Sequence, residues 1–212
     1  GAYVVVANHN HPTQVVLSGS VAGVERVEQH LAAKGINAKR LPVATAFHSP
    51  LVAPSSARFA EALAAIAVAA PTIETWSNAE ASPYPASAEA VRERLAAQIA
   101  LPVRFVEQVE AMWAGGARIF LEIGPGSVLS ELVDRILEGR PHLAIALDRK
   151  GKHGVSALAE GLGRLAVAGV AVDFAPLWEG VAPPAAPKKK PAMTIAINGS
   201  NYGKPYPPRG GA

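Results

Sequence analysis

Ile119, Phe120, Leu121 and Ile123 form the stretch that most limits how this chain can fold. Gly115-Gly116 precedes it and Gly124-Pro125-Gly126 follows, so the run is short, strongly apolar and stopped at both ends. Such a run suits a strand buried on both faces of a parallel sheet. Ser127 then reads as the cap of a helix with Leu129, Leu132, Val133 and Ile136 at helical spacing, and Leu143 to Ala146 as a second buried strand. Before the run, Ser87 caps a helix through Val91, Leu95 and Ile99. Pro102 breaks it, and a new helix carries Val106, Val109 and Trp113. Alternating helices and strands of this kind are the tail end of a parallel α/β sheet. Two strands make no stable sheet alone. Further strands are therefore expected from sequence before Gly1. The abrupt strand-like opening GAYVVVANHN agrees with a fragment, and it has no basic start or cleavage site of a secretory signal.

The first part of the chain follows another pattern. Val4 to Ala7 and Gln14 to Ser18 read as strands, with Asn8, Asn10 and Pro12 supplying turn chemistry between them. Ser20 caps a helix with Val21, Val24, Val27 and Leu31 in register, and Gly35 ends it. Lys39 to Val43 reads as a third strand, and Ala46-Phe47-His48-Ser49-Pro50 as a loop. Ser55 or Ser56 opens a second helix with Phe59, Leu63 and Ile66 on one face, and Ile73 to Trp76 is a fourth strand. These elements make a small α/β sandwich of ferredoxin-like size.

Composition sets outer limits. Half of the 212 residues are hydrophobic and 17% are charged, enough apolar material for a buried core. No apolar run is long enough to span a bilayer, so no membrane role is expected. The absence of cysteine excludes disulfides, thiol catalysis and cysteine-ligated zinc, and fits a cytoplasmic protein. The net charge is +3, but the stretch from Val181 onward carries Lys188, Lys189, Lys190, Lys204 and Arg209 with no acid. Removing that +5 leaves the body at −2, so no nucleic-acid partner is expected.

His48 is the residue that most invites chemistry. It sits in a loop behind a strand, where a side chain is free to act as an acid or base. On the loop alone, a surface histidine beside a turn is the commoner reading. Asn8 and Asn10 are each open to two readings, a polar turn or lining for a site, which stand equal for Asn8. His9 and His11 alternate with them, but a metal site needs a third ligand that the pattern does not supply, so none is expected.

Four ordered motifs resemble the acyltransferase family of fatty-acid and polyketide synthesis. The first is N-x-N-x-P-x-Q-V-V-L-S-G from Asn8 to Gly19. The second is A-F-H-S-P-L-V at Ala46 to Val52. The third is Gln98 followed by Pro102-Val103-Arg104-Phe105. The fourth is F-L-E-I-G-P-G-S-V-L at Phe120 to Leu129. The resemblance covers roughly residues 3–147. It implies an α/β fold in which a ferredoxin-like small subdomain (1–78) precedes the C-terminal part of an α/β-hydrolase-like large subdomain (79–147). A post-acyltransferase linker (148–180) and an extended Pro/Lys-rich linker (181–212) would follow. Asn201 to Pro208 resembles a segment of bacterial polyunsaturated-fatty-acid synthases.

The resemblance also implies an activity. A serine takes malonyl from malonyl-CoA and passes it to the phosphopantetheine thiol of an acyl carrier protein, with no cofactor bound in this domain. By resemblance His48 is the general base, and the backbone carbonyl at Gln98 orients its ring. Phe47, Asn8, Asn10 and Val52 are the matching substrate-contact positions. Phe47 before the histidine goes with malonyl rather than methylmalonyl selection. Partners implied are the carrier protein, an adjacent ketosynthase and an upstream acyltransferase segment. The sequence departs from the family in three respects. It has no G-x-S-x-G: the nearest string, Gly154-Val155-Ser156-Ala157-Leu158, lacks the last glycine. The family's substrate-binding arginine and oxyanion glutamine have no match either, and Arg104 reads as an ion-pair partner. The chain alone is thus expected to be inactive. The competing reading is a non-catalytic docking or linker piece of a multidomain synthase.

Overall fold

A computed structural model describes residues 2–43 and 45–181. Its first compact unit runs from Gly1 to Val172, and a second begins at Asp173. The linker expected from Val181 onward, and the Asn201–Pro208 resemblance, lie almost wholly outside the described residues.

Strand β1 (Val4–His11) and strand β2 (Gln14–Gly19) form an antiparallel hairpin. The turn is Pro12-Thr13 alone, because β1 is longer than its apolar part. Asn8, His9, Asn10 and His11 belong to the strand, not to the turn that their side chains suggest. The polar stretch is accommodated by register shifts that leave Ala7 and Asn10 without a partner, the usual signature of a bulge, which re-aims the flanking side chains. Helix α1 (Val21–Ala33) starts where the Ser20 hydroxyl accepts the Gly23 N–H, as expected. It lies so close to the start of β1 that a Cβ on Gly23 would meet the Tyr3 carbonyl at 2.5 Å.

Lys39 to Val43 is not a strand. The Val43 N–H bonds the Leu41 carbonyl at 2.8 Å, a three-residue turn around Pro42, which has no N–H to give a ladder. A short 3₁₀ turn, Pro50–Val52, then runs into helix α2 (Ala53–Ala64). That helix begins before Ser55, because Pro54 is favoured in a first turn. The fourth strand is also shorter than expected. Only β3 (Trp76–Ser77) is paired, with β4 (Ser82–Pro83), and Ile73 is 80% exposed.

Helix α3 (Ala88–Gln98), capped by the Ser87 hydroxyl, packs on α2 and leads to β5 (Val103–Arg104). Strand β5 adds in parallel to the free side of β1, Asn8 opposite Val103. One three-stranded sheet, β2-β1-β5, thus joins the two halves the sequence separates near residue 78. Helix α4 (Phe105–Ala114), strand β6 (Ile119–Glu122), helix α5 (Val128–Ile136) and strand β7 (Leu143–Ala146) follow, with β6 and β7 parallel. Their core is Val106, Val109, Val133, Ile136, Leu137 and Ala144, with Phe105, Trp113 and Phe120 at its edge. Helix α6 (Gly154–Val167) covers β7, and Gly161 permits the approach: a Cβ there would lie 2.6 Å from a Leu147 methyl. This is the α/β order the sequence indicates.

Two details differ. Ser127 does not cap α5 with its hydroxyl, which donates to Glu131. The Glu122 carboxylate takes that place, accepting the Leu129 N–H at 3.1 Å and the Ser130 N–H and hydroxyl at 2.8 Å each. A carboxylate at the positive end of a helix is favourable. Nor is β6 buried on both faces. Leu121, within the strand, and Ile123, just past its end, are exposed, and among the described residues β6 pairs only with β7.

Candidate active site

His48 lies between two tight local structures. On its N-terminal side the Phe47 N–H bonds the Thr45 carbonyl. On its C-terminal side Ser49, fully buried, donates its hydroxyl to Ala46 O at 2.6 Å and accepts the Leu51 N–H at 3.3 Å. Ser49 thus caps the Pro50–Val52 turn, with Pro50 in the first position. The Ser-Pro pair is a capping signal legible in the sequence. Between these anchors His48 takes a left-handed backbone, φ 56°. Histidine is among the few non-glycine residues enriched there, and such strain gathers at functional sites.

The C-terminal end of α3 faces this loop. Helix ends leave backbone carbonyls without intrahelical partners. Here the His48 N–H bonds Ile99 O at 3.1 Å. The ring Nδ1 lies 3.2 Å from Gln98 O and 3.0 Å from Leu101 O. Both neighbours of Nδ1 are carbonyls, which only accept, so the proton of the neutral ring sits on Nδ1. The Nε2 lone pair is then the basic one. The sequence pointed to the Gln98 carbonyl only through the family resemblance. It gave no sign of Ile99 or Leu101, because a backbone carbonyl carries no residue signature.

The other candidates fall at different depths. Phe47 is half exposed, at 52%, beside the histidine. Val52 is buried. Asn8 is half-buried opposite Val103, two positions along the chain from Leu101, and Asn10 occupies the second bulge of β1. No side-chain hydrogen bond joins either asparagine to His48 among the described residues. The bulge also separates His9 from His11. His9 reaches Glu107 at 3.4 Å, whereas His11 accepts from Thr13 within the hairpin. Glu107 lies 3.8 Å from Arg104 as well, so Arg104 does stand in an ion pair. Among the described residues no cluster of three or more histidine or acidic side chains is placed to hold a metal ion, and no helix is long and apolar enough to cross a membrane.

The site is thus a loop histidine held by helix-end carbonyls on an α/β scaffold. Comparison with known proteins names the class. Residues 2–172 match the family model "Acyl transferase domain", and the chain belongs to that family. It is 33% identical over 93% of its length to a polyunsaturated fatty acid synthase polypeptide of Thraustochytrium sp., covering 7% of that protein. It is 38% identical over 64% of its length to the malonyl CoA-acyl carrier protein transacylase of Bacillus subtilis, covering 43% of it. Among solved structures, the acyltransferase domain from the second module of the salinomycin polyketide synthase superposes with a TM-score of 0.72. It is 30% identical, over 86% of this chain and 44% of that one. The chain thus spans less than half the length of each of these relatives.

Proposed function

We propose that this chain is the histidine-bearing part of an acyltransferase that moves malonyl from malonyl-CoA to the phosphopantetheine thiol of an acyl carrier protein. The observation that carries the reading is the pair of carbonyls at His48 Nδ1, which leaves Nε2 as the base. The names of the relatives support the substrate class. A serine hydroxyl is a weak nucleophile and needs such a base. His48 Nε2 takes the serine proton as the oxygen attacks the thioester carbon. It returns that proton to the departing CoA sulfur. In the second half Nε2 takes the proton of the pantetheine thiol, whose sulfur attacks the serine ester, and the proton goes back to the serine oxygen.

No G-x-S-x-G occurs in these 212 residues, so the serine comes from polypeptide outside them. The malonyl-binding arginine and the oxyanion donor come from there too. Of the ferredoxin-like part, residues 1–78 contribute the β1–β2 hairpin with α1 and α2, β5 crosses the boundary to pair with β1, and 79–147 is the C-terminal part of the hydrolase-like part. Among the described residues β6 is paired on one side, with β7, and its other edge is where the remaining strands add. Asn8, Asn10, Phe47 and Val52 border the acyl site. A neighbouring ketosynthase fits the synthase relatives.

The test is malonyl transfer to a carrier protein by the full-length polypeptide. His48→Ala should lower it by about two to four orders of magnitude while the far-ultraviolet circular dichroism stays unchanged. Wild-type turnover by a folded variant would remove the assignment.

A further inference from the structure

The carbonyls that hold His48 are themselves held from the opposite side. The short hairpin β3–β4 is closed by Tyr84 N–H to Thr75 O at 2.7 Å and Ala81 N–H to Ser77 O at 2.9 Å. It is strapped to one stripe of α3. Arg94 donates to Pro83 O at 2.8 Å, pairs with Glu80 at 2.5 Å and lies over the Tyr84 ring at 5.7 Å. Four residues on, and therefore on the same helix face, the Gln98 side-chain Oε1 accepts the Ala79 N–H at 3.1 Å. The adjacent Asn78 carbonyl accepts the Arg104 N–H at 2.8 Å, on the far side of the turn that carries Leu101. Residues 78 and 79 thus grip both ends of the segment 98–104. That segment presents all three carbonyls to His48. Ser77 is fully buried at the base of this grip.

We infer that the β3–β4 hairpin is a positioning element for the base, and that the Gln98 side-chain amide is the residue through which it acts. The inference rests on the acyltransferase reading of His48. Its physical content is that Gln98 has two separate jobs. The backbone carbonyl bonds the imidazole. The side chain fixes where that carbonyl points, by tying the last turn of α3 to the hairpin. Removing the tie leaves every group that touches the imidazole in place but loosens their common mount. A misplacement of about 1 Å can cost a hundredfold in rate.

The experiment compares Gln98→Met, Gln98→Glu and His48→Ala in the full-length polypeptide, by malonyl-transfer kinetics and peptide-level hydrogen exchange. Methionine keeps length and apolar bulk without the acceptor. The expected result is a kcat about ten- to a hundredfold lower with KM unchanged. Exchange should speed up in peptides covering both 77–81 and 45–52, with none in 105–114. Glutamate keeps an acceptor for the Ala79 N–H, so it should restore most of kcat. An inactive His48→Ala beside a Gln98→Met of wild-type kcat would overturn this inference while leaving the acyltransferase reading intact. An active His48→Ala would remove that reading itself. Faster exchange in 77–81 alone would also overturn the inference, since the grip would then end at the hairpin. If Gln98→Met does not fold, Arg94→Met carries the test. It removes the other strap, and the same coupled exchange in 77–81 and 45–52 is expected; unchanged exchange in 45–52 would again overturn the proposal.

Discussion

The His48 loop and the β6–α5–β7 core sit in one compact unit but are held by different means. The core is a side-chain structure. Val109, Val133, Ile136 and Leu137 are buried, and apolar area removed from water stabilises it. The loop is a backbone structure. Its neighbours include exposed Phe47 and Leu51, and it is fixed by bonds from His48 and Ser49 to the carbonyls of Ala46, Gln98, Ile99 and Leu101. Large apolar side chains set an energy, whereas directed hydrogen bonds set a geometry. A core substitution should therefore change stability before chemistry, and a loop substitution chemistry before stability.

The largest effect expected under this division is in the core. Leu137→Ala, at a fully buried position, should cost about 2–5 kcal/mol in chemical unfolding, while any folded fraction keeps the wild-type kcat. Loss of kcat in the folded fraction would break the division. Ser49→Ala comes next. It removes a buried hydroxyl that serves two backbone groups, at about 1–3 kcal/mol. Because the loop sets geometry, its kcat should fall even where the protein is fully folded. Ser87→Ala, at the other end of α3 from the carbonyls, should cost about 1 kcal/mol and leave kcat alone, which separates loss of helix from loss of aim. The smallest effect is Phe47→Ser. Competition between malonyl-CoA and methylmalonyl-CoA should shift a few-fold toward the larger ester, short of the roughly tenfold a fully enclosed methyl pocket gives, because Phe47 is half exposed. An unchanged ratio would make Phe47 a packing residue only.

The same division explains what the sequence made legible. Helices α1 and α3 were visible with their Ser20 and Ser87 caps, and so was the apolar periodicity of α4 and α5, because side chains carry those signals. Strands were less legible. The strand-like character of Leu41 and Val43 lost to the turn at Pro42, and the polar half of β1 looked like a turn because bulges, not apolar alternation, accommodate it. The pairing of β1 with β5 was invisible, since it joins residues almost a hundred positions apart through backbone bonds. His48 itself stood out only through the motif around it. Its partners are main-chain carbonyls, and the role of Glu122 at the start of α5 was hidden inside an apolar run.

The proposed division of labour gives these residues the base of one acyl transfer and polypeptide outside them the nucleophile. It can be tested by incubating the full-length polypeptide with radiolabelled malonyl-CoA, trapping the acyl-enzyme and mapping the labelled peptide. Label is expected on a serine outside residues 1–212, with none retained when residues 1–212 are incubated alone. Label on a serine within them, at Ser156 or elsewhere, would contradict the proposal.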